Sequence, residues 1–300
     1  MSASLLMVLA TLLFATMGVC VKLASAYYSA GEIVMYRGLV GTLMMAALAR
    51  WQGTSLRTQV PGMHFWRSLS GVTALSLWFY AISQLPLATA MTLNYMSSVW
   101  MALFLIGGAV LLGAARVDPR LVASVLLGFA GVALVLRPTM EQQQIWHGLA
   151  GLSSGMLSAM AYLQVTALGR AGEPETRVVF YFSIGGMTAG ALVSGVSLQG
   201  DWHAHQHWQG LALLLAVGLL ATTAQVLMTK AYATGKTLVN ASLQYLGIVF
   251  SALYGVLLFG DRLGWLSWAG IALIICAGLA ATLLRARATP PDSQHSVSES

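Results

Sequence analysis

Ten long apolar stretches follow one another along almost the whole chain. A helix that crosses the hydrocarbon core of a bilayer needs about 20 mostly apolar residues. The pattern therefore predicts ten transmembrane helices, of which the second and fifth must extend into flanking residues. The stretches are Leu5–Ala24, Ile33–Ala49, Phe65–Gln84, Leu87–Leu112, Leu121–Leu136, Gly148–Leu168, Val178–Val196, Leu211–Ala231, Leu238–Phe259 and Leu266–Leu284.

Composition and proline positions support this interpretation. Apolar residues make up 58% of the chain and charged residues only 8%, against about 25% charged residues in a soluble domain. Proline breaks helix interiors, and each of the seven prolines lies between stretches or in the tail. The basic residues are scattered singly, so we expect a lipid bilayer and no nucleic acid as partner.

The distribution of Lys and Arg predicts the orientation, because cytoplasmic loops are enriched in them. With the N-terminus inside, eleven basic residues lie on the inner side and four on the outer side. We therefore expect both termini in the cytoplasm, which requires an even number of spans. The polar residues 288–300 form a predicted disordered cytoplasmic tail.

The chain also contains an internal repeat. Leu93–Tyr95 in the fourth stretch resembles Leu243–Tyr245 in the ninth, so residues 1–140 and 145–287 read as two copies of one five-helix unit. Five is an odd number, and the second copy must therefore enter the membrane from the opposite side. Such inverted repeats are typical of transporters that work by alternating access.

With these features the chain resembles the EamA-type branch of the drug/metabolite transporter superfamily. The resemblance covers roughly residues 4–287 and rests on the ten-helix plan together with Tyr36–Gly38, Leu85–Ala90 and Gly260–Leu263. Ser97 and Gly247 stand where the family often has proline. The resemblance implies a multi-pass protein of the bacterial inner membrane, most similar to exporters of amino acids, aromatic ones included.

Polar and aromatic residues inside the stretches are the candidate substrate site. Asn94 and Tyr95 lie about 10 Å into the fourth stretch at 1.5 Å per residue, and Gln244 and Tyr245 lie similarly deep in the ninth from the other side. Amides can bind both charges of an amino acid, whereas the alternative role is hydrogen bonding between helices. The other candidates are Trp78, Tyr80, Trp100, Tyr162, Gln164 and Gln225.

Charged residues are sparse in the stretches, and all nine acidic residues lie at their ends, in loops or in the tail. Lys22, Glu32 and Arg37 form either an outer gate or a local ion pair at the interface. Because no buried charge is apparent, we expect a mostly uncharged cavity that favours zwitterions over multiply charged anions. Exporters of lipophilic cations, or of nucleosides or other metabolites, remain alternatives.

An enzyme in the membrane is a remote alternative. Gly151–Gly155 matches the G-x-S-x-G pattern, but that motif needs a strand-to-helix turn, and here it lies inside an apolar helix. His203, His205 and His207 in an outer loop either bind a metal or form a solvated loop. We therefore expect a monomeric or weakly oligomeric transporter of a small molecule, with no cofactor and no catalytic residues.

Overall fold

The computed structural model describes residues 2–97, 99–101, 103–104, 107, 119–136, 142–196, 208–234 and 243–288. Within these residues the chain forms ten α-helices and no strand. The His203–His207 run and the predicted tail from residue 289 onwards lie outside the described residues. The helices are α1 (Ala3–Ala24), α2 (Ala30–Gln52), α3 (Pro61–Gln84), α4 (Leu87–Tyr95), α5 (Pro119–Leu136), α6 (Gln142–Arg170), α7 (Glu175–Val196), α8 (Trp208–Thr234), α9 (Leu246–Phe259) and α10 (Trp265–Ala288).

Every predicted stretch overlaps one of these helices, so the all-helical prediction is confirmed. Local signals define several helix ends. Ser29 and Glu32 form a reciprocal capping box at the start of α2, and the left-handed Gly53 (φ 66°) ends that helix. Glycine reaches this conformation without the steric penalty of a side chain. Pro61 starts α3 at the position where a missing N–H costs nothing.

The fourth and ninth stretches differ from the prediction because their helices are interrupted. The backbone turns at Met96, whose N–H donates to the carbonyl of Leu93 at 3.3 Å, three residues back instead of four. A turn also occurs at Tyr245, whose carbonyl accepts from the N–H of Ile248 at 3.0 Å. Both turns fall beside the repeated Leu-Asn/Gln-Tyr segments, so the repeat marks two helix breaks.

The set of the largest helix interfaces is symmetric between the two halves of the chain. It stays the same when each of the first five helices is exchanged with its counterpart five helices later, such as α1 with α6. Under this exchange the pairs α2–α7, α5–α10 and α4–α9 map onto themselves. The pair α1–α8 maps onto α6–α3, α2–α8 onto α7–α3, and α1–α9 onto α6–α4, and all six of these pairs are in contact. Most of the large interfaces therefore join the first five helices to the last five.

Glycines permit the closest of these interfaces, between α2 and α7. A Cβ atom at Gly38 would collide with the backbone N of Met187, and one at Gly190 would lie 2.5 Å from the backbone N of Met35. Small residues let membrane helices approach until their backbones touch.

Four of the described helices, α1, α2, α7 and α8, are long and apolar enough by themselves to cross a membrane. Shorter apolar helices occur in α9 and α10. These properties agree with a polytopic membrane protein.

Candidate functional site

A small cavity of ≈ 30 Å³ lies between helices of the first and second halves. Four of the predicted site residues are among those that line it: Asn94 and Tyr95 at the end of α4, Tyr162 on α6, and Gln244 just before α9. The structure thus brings together residues that are up to 150 positions apart in the sequence. The remaining lining residues are Met7, Ala10, Thr11, Phe14 and Met228.

The amide of Asn94 is held by hydroxyl groups on α6. Its Nδ2 donates to the Oγ atoms of Ser154 at 2.8 Å and Ser158 at 3.3 Å. Gly155 permits this contact, because a Cβ there would lie 2.6 Å from the carbonyl oxygen of Leu93. These two bonds orient the Asn94 amide through its nitrogen.

Two tyrosines pack against glycines at the helix breaks. A Cβ atom at Gly247 would collide with the hydroxyl of Tyr95, and one at Gly278 would collide with the hydroxyl of Tyr245. Tyr245 therefore packs towards α10 and is not among the cavity-lining residues, although its neighbour Gln244 is. Gly247 makes room for the Tyr95 ring in the cavity wall.

The other predicted site residues lie elsewhere. Gln164 accepts a hydrogen bond from the hydroxyl of Ser70 at 2.7 Å, and Gln225 accepts one from Arg37 at 3.0 Å. Trp78 is buried beside Phe79. Tyr80 is 39% exposed at the surface, and Trp100 packs against Phe129. None of these three aromatic residues lines the cavity.

Sequence reasoning missed a buried cation. Arg67 is only 4% exposed on α3, and its guanidinium carbon lies 4.3 Å from the ring centroid of Phe182 on α7. Arg37, on α2, is 5% exposed and lies 5.2 Å from the centroid of the same ring. The expectation that no buried charge is available is therefore wrong. Arg67 looked like a loop residue because it stands near the edge of an apolar stretch, but α3 begins six residues before it, at Pro61.

The three predicted gate residues form hydrogen bonds with three different partners and are not bonded to one another in these contacts. Lys22 Nζ donates to the carbonyl of Leu85 at 2.6 Å, Glu32 accepts from the N–H of Ser29 at 2.8 Å, and Arg37 binds Gln225. Near Lys22, Asp261 of the α9–α10 loop accepts from the N–H of Leu87 at 3.1 Å. This contact connects the second half to the start of α4.

A second network, which we call the Glu173 latch, joins the α2–α3 loop to the α6–α7 loop. Glu173 accepts from Thr58 at 2.9 Å and from Arg177 at 3.0 Å, and its Oε2 lies 3.0 Å from Nε2 of His64. Arg177 also donates to the carbonyl of Ser55 at 2.7 and 3.0 Å. Burial alone raises the pKa of Glu173, but the hydrogen bonds from His64, Thr58 and Arg177 and the Arg177 charge outweigh it and lower the pKa below its ordinary value.

No cluster of three metal-binding side chains is found within the described ranges. The side chains that line the cavity carry amide, phenol and hydroxyl groups among apolar walls. Such groups bind and orient a small polar solute.

Comparison with known proteins identifies the family. The sequence model of the EamA-like transporter family matches residues 1–137 and again residues 145–283. The chain belongs to the EamA-like transporter family. The predicted resemblance is confirmed.

Similar proteins carry several solutes. A pseudopaline exporter of Pseudomonas aeruginosa is 32% identical over 93% of this chain and 95% of its own length. A riboflavin transporter of Rhizobium johnstonii is 28% identical over 92% and 89%. An S-adenosylmethionine uptake transporter of Rickettsia bellii is 24% identical over 83% and 82%. A crystal structure of another protein shares the fold, with a TM-score of 0.64, 20% identity and coverage of 94% and 97%. The chain is a multi-pass inner-membrane transporter of small metabolites.

Proposed function

We propose that this transporter exports amino acids or closely related metabolites by alternating access, with the cavity as its substrate site. The observation that carries the proposal is the composition of the cavity wall. Asn94 from the first five helices and Gln244 from the last five face one space, with Tyr162 beside them. A rocking motion between the halves would open this space to one membrane face or the other.

The helix packing supports an inverted arrangement of residues 1–140 and 145–287. Contacts that are unchanged on exchange of helix n with helix n+5 are what a pseudo-two-fold axis would produce. The two family matches support the same division. Because each half has five helices, the axis would lie in the membrane plane and both termini would lie on one side. The distribution of Lys and Arg makes that side the cytoplasmic one.

Contacts at both ends of the helices support a closed conformation. The Glu173 latch joins loops on the side that we propose is cytoplasmic, and the Lys22 and Asp261 contacts lie on the opposite side. A cavity of ≈ 30 Å³ is about tenfold smaller than the smallest usual ligand pockets. Binding of a metabolite therefore requires the halves to separate.

The choice of amino acids follows from the polar groups. Amide and hydroxyl groups can bind the ammonium and carboxylate of a zwitterion together, and the flexible Met side chains of the wall can adapt to the shape of the solute. Lipophilic cations are a weaker choice, because the nearby Arg37 and Arg67 would repel them. Export is the direction favoured by the pseudopaline exporter among its relatives.

A counterflow screen in proteoliposomes tests the proposal. The solutes are amino acids, nucleosides, sugars and lipophilic cations, and the variant is Asn94→Ala combined with Gln244→Ala. We expect amino-acid flux in the wild type and at least a tenfold loss in the double variant, since two amide contacts of about 1 kcal/mol each are removed.

The matched control is Gln209→Ala, which removes an exposed amide at the start of α8. Its flux should equal that of the wild type. Unchanged flux in the double variant would show that the site is elsewhere, and movement of lipophilic cations alone would favour a multidrug exporter.

A further inference from the structure

Arg67 is placed and accommodated by its surroundings but has no hydrogen-bond partner for two of its nitrogens. Its Nε and Nη1 atoms are buried and unpartnered. Gly71, one turn further along α3, makes room for the guanidinium group, because a Cβ atom there would collide with Nη1 and would lie 3.0 Å from the ring of Phe182. The fold thus holds a cation with donors unused.

Arg37 completes a pair. Its Nη2 donates to Gln225 on α8 at 3.0 Å, but its Nε is also buried without a partner. Both guanidinium groups lie against the ring of Phe182, one from α2 and one from α3. The pair therefore stands where helices of both halves meet.

The charge of this pair is not balanced by the protein in the part of the chain that the structure describes. There, neither Arg37 nor Arg67 forms an ion pair with an acidic side chain, unlike Arg177 with Glu173. A cation–π contact offsets only part of the cost of removing a guanidinium from water. Two such buried cations with unused hydrogen-bond donors are suited to reversible binding of an anion.

The position of the pair connects it with the cavity. Tyr162, which lines the cavity, stands two residues before Gln164 on α6, and Gln164 binds Ser70, which is one turn after Arg67 on α3. On α8, Gln225 stands one turn before Met228, another lining residue. On α3, one turn separates Arg67 from His64 of the Glu173 latch. The arginines therefore lie between the latch and the cavity.

We infer that Arg37 and Arg67 form a carboxylate clamp that binds the anionic groups of the transported solute. The planar fork of arginine matches a carboxylate in a bidentate geometry. Two guanidinium groups beside one cavity favour a solute with two carboxylates over a solute with one. The inference rests on the proposed transport function and names its substrate class: acidic amino acids and similar dicarboxylates.

The test measures binding to purified protein in detergent with three solutes of nearly equal size. L-glutamate carries two carboxylates, L-glutamine one and L-glutaminamide none. We expect affinity to fall in that order, by on the order of tenfold for each carboxylate removed. Equal affinity for glutamate and glutaminamide would overturn the inference.

The variants assign the effect to the pair. In Arg67→Gln, glutamate should bind no better than glutamine binds to the wild type, and Arg37→Gln should behave similarly. Arg262→Gln, which removes an exposed arginine from the α9–α10 loop, should keep the full preference. A glutamate preference that survives in both Arg37→Gln and Arg67→Gln would overturn the clamp.

Arg67→Met separates binding from folding. If the charge of Arg67 is compensated only by a bound ligand, an apolar side chain of similar length should leave the melting temperature of the ligand-free protein unchanged or raise it. The increase in melting temperature on glutamate binding should then be lost. A lower melting temperature with an intact glutamate preference would assign Arg67 a structural role and overturn the inference.

Flux distinguishes the two proposals. Binding in the expected order with no transport of any solute would refute the proposed function and leave the clamp. Transport that is indifferent to carboxylates would refute the clamp and leave the transporter.

Discussion

Loss of the Glu173 charge should open the side of the protein that we propose is cytoplasmic. In Glu173→Gln the neutral amide keeps the size of the side chain but no longer attracts Arg177 and His64. Arg177 retains its two bonds to the carbonyl of Ser55, so part of the latch survives. The net loss is about one charge-assisted hydrogen bond, or roughly 1.5–3 kcal/mol. In the proposed cycle the latch breaks when the protein opens, so the open population should rise by on the order of tenfold or more.

The assay is the rate at which a cavity cysteine reacts with an impermeant maleimide. Thr11 lines the cavity, so Thr11→Cys is the reporter after both natural cysteines, Cys20 and Cys276, are replaced by alanine. In inside-out vesicles the labelling rate should be on the order of tenfold higher with Glu173→Gln than without it. Glu175→Gln, the same change two residues away, is the control and should have no effect.

The pH dependence follows from the lowered pKa of Glu173. A carboxyl group with a lowered pKa stabilises its conformation at all pH values above its ordinary range, and the stabilisation disappears as the pH falls through the lowered value. This carboxyl should therefore hold the latch unchanged from pH 8 to pH 5. A labelling rate unaffected by Glu173→Gln, or raised as much by Glu175→Gln, would refute the role of the latch.

Further predictions concern glycines that make room for functional side chains. Gly71→Ala should push the guanidinium of Arg67 aside and reduce the preference for glutamate over glutaminamide without removing a charge; solute binding measures this. Gly62→Ala, on the same helix with no atom within 4 Å of the new Cβ, is its control and should leave the preference unchanged. Gly247→Ala should collide with the Tyr95 hydroxyl and destabilise the protein by about 1–3 kcal/mol, which thermal unfolding in detergent would detect.

Helix number and position could be predicted from the sequence because hydropathy and proline are local signals. The apolar stretches and Pro61 determine where α3 runs, for example. The turn at Met96 could not be predicted, since no proline marks it. It depends on packing against α6, where Gly155 admits the backbone of Asn94.

The candidate site was predictable in part. The internal repeat pointed to Asn94 and Gln244, and the structure places both at one cavity; their role in binding stays a prediction. Arg67 was missed because hydropathy assigns a charge near the end of an apolar stretch to the loop. Its burial depends on Phe182, a contact between residues more than a hundred positions apart. Gly71, four residues after Arg67, leaves room for the guanidinium group, but a glycine in an apolar stretch does not by itself indicate a buried charge.

The central claim is that one cavity between two halves opens alternately to both membrane faces. The most direct measurement labels Thr11→Cys with impermeant maleimide in right-side-out and in inside-out vesicles, with and without the transported solute. We predict labelling from either face and a change in the two rates in opposite directions when saturating solute is present on one side only. Labelling from one face alone under every condition, or rates that never respond to solute, would contradict it.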